Sequence, residues 1–338
     1  MYKKIKNTTL SIAHRLGVLG SLHVLDNSFG SSFYALAYHR VDEIDAQPRL
    51  DPKNLSATPE QFEEQMRLLS SEYQPISADD VLEAVTGNRK LPPRAVLVTV
   101  DDGYLDFKEN IWPITKNYRI RPVLFVATAY VGKGVFWWDK LYDALQNTTL
   151  RQIESPIGIL LLGTKQERQR AFAKLADYMK QSASFEKSLV EVTDLCRRLF
   201  PTQLLTDKTT LGRDELRQRF DAGVTIAPHT HNHPALGNIS NEQAEFEILE
   251  SQRQIKAELG SAPALFAYPY GSRAAIGTFA ADLLRSSGFQ FAFTMSPGRS
   301  NLKRDDFMYL PRIPVYPKLS LPQLHAKLTP VFNITTHR

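Results

Sequence analysis

Six runs of apolar, β-branched and aromatic residues stand apart along the chain. They are FYALAYHRV (33–41), RAVLVTV (94–100), RPVLFVATAYV (121–131), VTIAP (224–228), ALFAYP (264–269) and FQFAFTM (289–295). The runs are continuous rather than alternating, and segments of helical period lie between them. That pattern predicts parallel strands covered on both faces. TPEQFEEQMRLLSSEY predicts a helix opened by Thr58, with Phe62, Met66 and Leu69 on one face. SNEQAEFEILESQRQIKAELG predicts a second helix, capped by Ser240 and stopped by Gly260. From about 137 to 215 the alternation breaks. WWDKLYDAL and KQERQRAFAKLADYMKQ are helical in period and no convincing strand is visible, so a helical insertion is expected there. The stretch 45–59, with Pro48, Pro52 and Pro59, is expected to be a long surface loop.

Composition narrows the class. At 338 residues with 43% apolar content, the chain can build one large domain or two ordinary ones. The net charge of +5 comes without a clustered polybasic tract, so nucleic acid is not indicated as a partner. A single cysteine, Cys196, cannot form an internal disulfide and fits a reducing compartment. The longest apolar stretches are half the length of a bilayer span or less. Lys3, Lys4 and Lys6 resemble the start of a signal peptide, but His14 and Arg15 interrupt the apolar core and no small-residue cleavage site follows. A cytoplasmic location is therefore expected. Ile5, Ile12, Ala13 and Leu16 fall near helical spacing. The preferred reading is an ordinary helix packed on the domain, the other a weak peripheral membrane contact. The expected layout is an N-terminal helix over 1–30, a main domain over 31–320 and a tail over 321–338.

The chemistry gathers at strand ends. Asp101 and Asp102 directly follow VLVTV, and Gly103 permits a turn. Asp-Asp-Gly alone reads first as a polar turn with a helix N-cap, but two acids at the mouth of a buried strand are costly unless something pairs them, and a divalent metal does so. HTHNHP places three of the eight histidines at 229, 231 and 233, just after VTIAP. Two imidazoles and a carboxylate make a common zinc set that leaves a position open. On a helical turn His229 and His233 share a face; on extended backbone His229 and His231 do. The first pair is preferred because Thr230 and Asn232 can cap a turn and Pro234 limits it.

TVDDG, HTHNH and AYPYG, in this order and at strand ends, resemble the polysaccharide deacetylases of the NodB-homology, carbohydrate esterase family 4 type. The resemblance runs from LAYHRV (36–41) to YLPRIPV (309–315), and FWWD in the insertion is also met in some bacterial members. It implies an α/β fold: a distorted (β/α) barrel of about seven strands with a helical insertion. It implies a metal-dependent hydrolase removing N-acetyl groups from an N-acetylated glycan or glycan precursor, using zinc, with cobalt or nickel as alternatives. Carried over, Asp101 is the general base, Asp102, His229 and His233 are the metal ligands, and the Tyr270 N–H helps hold the oxyanion. Amide hydrolysis needs these parts: an activated water, a stabilised oxyanion and a proton for the leaving amine.

The sequence departs from the family pattern in three places. Val100 replaces the usual Phe before the acids. The segment at 266–271 lacks the family's arginine that orients the base, a role that the resemblance to members sharing YPYG gives to Arg312 in LPRIP as an expectation. No obvious acid motif follows the last strand. His39 in YHRV becomes the expected proton donor, by likeness to biofilm-polysaccharide deacetylases of permuted motif order. A buried structural histidine is the equal alternative for His39, and His325 in LPQLHAKL is its rival for the acid role. Tyr268, Pro269 and Trp138 are expected at the substrate, and Asp106 could also line the site. Two other readings stay open: an O-acetyl polysaccharide esterase, and a non-catalytic carbohydrate-binding relative.

Overall fold

All six apolar runs are strands in the computed structural model, which describes residues 10–21, 30–200, 205 and 208–330. In chain order the parallel strands are β1 (Ser32–Tyr38), β2 (Ala95–Val100), β3 (Val123–Val126), β4 (Thr225–Pro228), β5 (Leu265–Ala267), β6 (Phe291–Phe293) and β7 (Ile313–Pro314). They curl into a distorted, incompletely closed barrel. Neighbours pair in parallel in the order β7–β1–β2–β3–β4. β5 and β6 form a separate parallel pair, and Leu310 bridges β6 back towards β7. Between β4 and β5 there is no ladder.

The strands are buried on both faces, which is why their sequences do not alternate. Tyr34, Leu36 and Tyr38 of β1, with Val96, Val98 and Val100 of β2, pack outward against helix α1 (Pro59–Glu72) and its neighbours. Phe33, Ala35, Leu97, Phe125, Ala227, Ala267 and Phe293 fill the interior. Thr58 caps α1 through a reciprocal capping box with Gln61, as its sequence predicts. Ser240 does the same for the long helix Asn241–Leu259, which Gly260 ends at φ 81°.

The insertion contains helices α2 (Trp137–Asn147), α3 (Lys165–Gln181) and α4 (Phe185–Leu199), packed around their own apolar cluster. It also contains strands, contrary to expectation: Gln152–Ser155 and Gly158–Leu161 form an antiparallel hairpin. Ile153 and Leu160 point inward, but Ile159 and Leu161 are exposed. The apolar residues on both faces hide the period of two. Leu211 and Leu216 already belong to the barrel core, so the insertion ends before them.

The stretch 45–59 is not all surface loop. Leu50 and Asp51 are buried, and Leu55–Ala57 pairs in parallel with Arg40–Val41. The expected N-terminal helix falls partly outside the described residues. Residues 10–15 and Val18–Ser21 are helical, and Leu10 and Leu19 are buried against Ala326. Among the described residues no helix is long and apolar enough to cross a membrane.

Candidate active site

Successive residues of a strand face opposite sides, so the alternation along each strand fixes where its last residue points. Leu97 and Thr99 face inward on β2, and Asp101 continues that series at the barrel mouth. Phe33, Ala35 and Ala37 lead likewise to His39, and Ala227 leads to His229. All three line one cleft of about 400 Å³.

Asp102 leaves the strand direction through a left-handed backbone, φ 75°, and Gly103 follows at φ 85°. A Cβ at Gly103 would lie 3.0 Å from Val126 Cγ1, so the turn is tight as well as left-handed. Asp102 Oδ1 thereby comes within 3.8 Å of His229 Nε2 and 3.5 Å of His233 Nε2. Donor atoms of these three buried residues all lie within 4.8 Å of one another.

The expected helical turn at 229–233 is absent. Thr230 and His233 take positive φ, 65° and 64°, in an irregular loop. The Thr230 hydroxyl accepts from the His233 N–H at 3.0 Å. Glu247, buried on the long helix, accepts from the N–H groups of His231 and Asn232 and from the Asn232 side chain. His231 turns away, its Nδ1 2.8 Å from the Thr128 hydroxyl. The pair that converges is therefore His229 and His233, though the sequence argument for it relied on the wrong backbone.

Whether a divalent ion suits this set can be judged from its charges. Burial lowers the basicity of His229 to about 4 and that of His233 well below its usual range, so both rings are neutral near pH 7. Burial, and then the charge of Asp101, push the Asp102 carboxyl well above its usual range. Asp102 Oδ1 is buried and has no hydrogen-bond partner among the described residues. Two neutral imidazoles facing an orphaned carboxylate oxygen fit a zinc-like ion, whose charge reverses the cost of ionising Asp102.

Asp101 has different company. Arg312, wholly buried, donates to both its oxygens at 2.7 and 2.8 Å. The guanidinium also donates to Thr99 Oγ1 and the Thr294 carbonyl, and lies between the rings of Phe125 and Phe293. Burial alone raises the Asp101 carboxyl, but Arg312 and His229 outweigh it and hold it at about 2. It is an ionised, rigidly aimed acceptor.

Tyr270 enters through another left-handed turn, φ 60°, with Gly271 beside it. A Cβ on Gly271 would sit 2.2 Å from the Met295 nitrogen, so only glycine lets this turn close on its neighbour. Among the described residues no hydrogen bond uses the Tyr270 N–H. Tyr268 lines the cleft, but its ring is 1% exposed and stacks on Tyr309. Pro269 is buried and does not line the cleft. Trp138 does line it, its ring 4.9 Å from that of His233.

His39 lines the cleft, and no hydrogen bond to its ring is present among the described residues. Burial lowers its basicity, opposed by Asp101. His325 does not reach the cleft. It is also not a surface residue: it is 2% exposed, with Nδ1 2.8 Å from His14 Nδ1 and its ring against Tyr73. Asp106 faces away and binds the Val41 N–H and Arg40. Sequence reasoning missed Glu247 and Asp139. The signal for Glu247 was a charged residue on the helix face shared by Ala244, Ile248 and Ser251. The signal for Asp139 was its place at the end of FWWD, a motif the resemblance includes without giving that residue a role.

The sequence matches the family model for polysaccharide deacetylase over residues 88–292. A stretch of 127 residues is 32% identical to the poly-β-1,6-N-acetyl-D-glucosamine N-deacetylase of Escherichia coli K12, covering 36% of this chain and 18% of that protein. Another, of 114 residues, is 30% identical to the Staphylococcus aureus protein of the same name, covering 31% of this chain and 39% of that one. The chain thus aligns with less than half the length of either relative. Among solved structures it superposes on the Streptococcus pyogenes deacetylase PplD in complex with acetate, TM-score 0.60 at 17% identity, covering 88% of this chain and 99% of that one. It superposes on IcaB from Ammonifex degensii with TM-score 0.56 at 18% identity, covering 89% and 98%. At these identities the likeness is one of fold.

Proposed function

Because the chain belongs to the polysaccharide deacetylase family, we propose that it removes N-acetyl groups from amino sugars of a glycan, with a divalent ion held by Asp102, His229 and His233. The observation that carries this reading is the buried Asp-His-His cluster beside an arginine-clamped second carboxylate in one cleft. Zinc is the proposed ion, and cobalt and nickel suit the same donors. When bound, such an ion supplies a Lewis acid that polarises the acetyl carbonyl and the attacking water.

The side chains do the rest. Asp101, kept ionised and aimed by Arg312, accepts the proton of the water as its oxygen adds to the carbonyl carbon. The Tyr270 N–H donates to the oxygen on which negative charge develops. The C–N bond then breaks, His39 delivers a proton to the departing nitrogen, and acetate and a free amine result. Trp138 forms a wall against which the sugar rests, while Tyr268, almost wholly buried, stays packed on Tyr309.

The two named relatives act, by name, on poly-β-1,6-N-acetyl-D-glucosamine. Oligomers of that sugar are therefore the first substrates to assay. The test is acetate release by chelator-stripped protein before and after zinc, cobalt or nickel is restored. Release should vanish on stripping and return with the ion. Undiminished release by the stripped protein overturns the reading. Release from O-acetyl esters alone, or from nothing despite full metal content, favours the esterase or the binding relative instead. The ligand set predicts that Ala at Asp102, His229 or His233 loses most bound metal, whereas His231→Ala keeps it.

A further inference from the structure

A metal-binding histidine is ordinarily fixed at both ring nitrogens: the ion takes one, and a hydrogen-bond acceptor holds the other. His229 follows this rule. Its Nδ1 lies 2.6 Å from the Ala267 carbonyl, across the seam between β4 and β5, and its Nε2 faces Asp102. His233 does not. Its Nε2 faces Asp102, but its Nδ1 is buried with no hydrogen-bond partner among the described residues.

Rings surround His233 instead. Trp138 lies 4.9 Å away at 57°, Tyr270 5.1 Å away at 68°, and His229 4.9 Å away at 70°. Trp138 is itself tied down. Its Nε1–H donates to the Tyr104 hydroxyl at 2.8 Å, and that hydroxyl donates to Asp139 Oδ2 at 2.7 Å. Asp139 Oδ1 accepts from the Asp51 N–H at 3.0 Å. The Trp138 ring also stacks on Phe136 at 4.3 Å, nearly parallel at 12°. Tyr104 and Asp139 are buried, and Tyr104 directly follows the Asp101–Asp102–Gly103 turn. One hydroxyl therefore joins the carboxylate turn to the insertion helix α2, and through Asp139 to the loop at Asp51. A buried node of this kind is costly to break, which makes it rigid.

We propose that Trp138, locked by Tyr104 and Asp139, is a positioning residue that holds the His233 imidazole in its metal-binding orientation, in place of the hydrogen bond His233 lacks. The proposal rests on the metal-centre reading above. It gives the insertion a part in metal binding as well as in shaping the cleft. Rotation of the His233 ring out of line would press it into the indole face, so the packing restricts the ring as an acceptor would.

The decisive measurement is the zinc dissociation constant of the full chain, by competition with a chelating dye, together with the visible absorption of the cobalt-loaded protein. Trp138→Ala should weaken zinc by about ten- to a hundredfold, the usual cost of losing an outer support, and shift the cobalt bands. Trp138→Phe keeps a flat ring against His233 but cannot donate to Tyr104, so it should lose less zinc affinity than Trp138→Ala and about as much as Tyr104→Phe. Tyr104→Phe keeps every ring but removes the node, and should weaken zinc by about tenfold. Wild-type zinc affinity and an unchanged cobalt spectrum in folded Trp138→Ala overturn the proposal, as does an equal loss in Trp138→Ala and Trp138→Phe. Wild-type affinity in Tyr104→Phe overturns the lock. Should Trp138→Ala fail to fold, Trp138→Leu decides by the same criteria. His233→Ala separates the two readings. If it binds zinc like wild type, the metal centre itself is misassigned; if it loses zinc while Trp138→Ala does not, only the clamp is wrong.

Discussion

Asp101 and Asp102 are neighbours in sequence, yet their surroundings drive them apart: Arg312 holds one ionised, and burial beside that charge pushes the other towards the neutral form. Asp101→Asn should therefore keep its metal and lose turnover by ~10²-fold or more, the usual worth of a positioned base. Metal content and acetate release measured on the same sample check this, and near-normal turnover in the metal-replete variant rules Asp101 out as the base. His39 and His325 make opposite forecasts. With metal retained, His39→Ala should slow hydrolysis of an amide far more than of an activated ester, whose leaving group needs no proton. His325→Ala, deep against Tyr73 and His14, should lower the melting temperature and leave the amide-to-ester ratio unchanged. An amide-selective defect in His325→Ala would transfer the acid role to that residue.

Elements place these side chains through a simple rule and its exceptions. The two-residue period of β1, β2 and β4 carries His39, Asp101 and His229 into the mouth. Loops then supply what a strand cannot: Asp102, Thr230, His233 and Tyr270 all take positive φ, a concentration of strain at the site. Glu247 braces one of those loops from the outer helix. A similar brace lies at helix Arg213–Asp221, where Glu215 accepts from the Gly212 N–H and pairs with Lys208 and Lys108. Burial opposes its charge, but those donors prevail and hold the carboxyl at about 2, against 4.5 ordinarily. Since the folded value is the lower one, the contribution is complete above about pH 4.5 and is lost as pH falls towards 2. Glu215→Gln should cost about 2 kcal/mol at neutral pH, a figure reduced for partial solvation, and nothing near pH 2. Denaturant unfolding of both proteins between pH 7 and the acid limit tests it; a gap that does not narrow refutes the assignment.

Across the whole molecule, the cleft is shared between barrel and insertion. Phe172, Ala176 and Lys180 of α3 line it together with Asp102, His229 and His233. Ala176→Trp should fill that space and lower kcat/KM on an oligomer by about tenfold or more, with metal content unchanged. An unaltered kcat/KM would show that substrate does not run past α3. The sequence by itself determined the strands, since fully buried strands must be apolar throughout. It also determined the two capped helices, because capping is local chemistry within four residues. It brought out Asp101, Asp102 and the histidines, because polar groups at the end of an apolar strand are conspicuous. The family resemblance names Arg312 as the partner of Asp101, but only the tertiary structure brings the two together across 211 residues of chain. Only the tertiary structure separated His233 from His231, because positive φ at Thr230 and His233 is set by Glu247 and the packing around the loop. The hairpin at 152–161 was hidden because apolar residues occupy both its faces. The Tyr104–Trp138–Asp139 node was hidden because contacts between segments so far apart leave no period in the sequence to read.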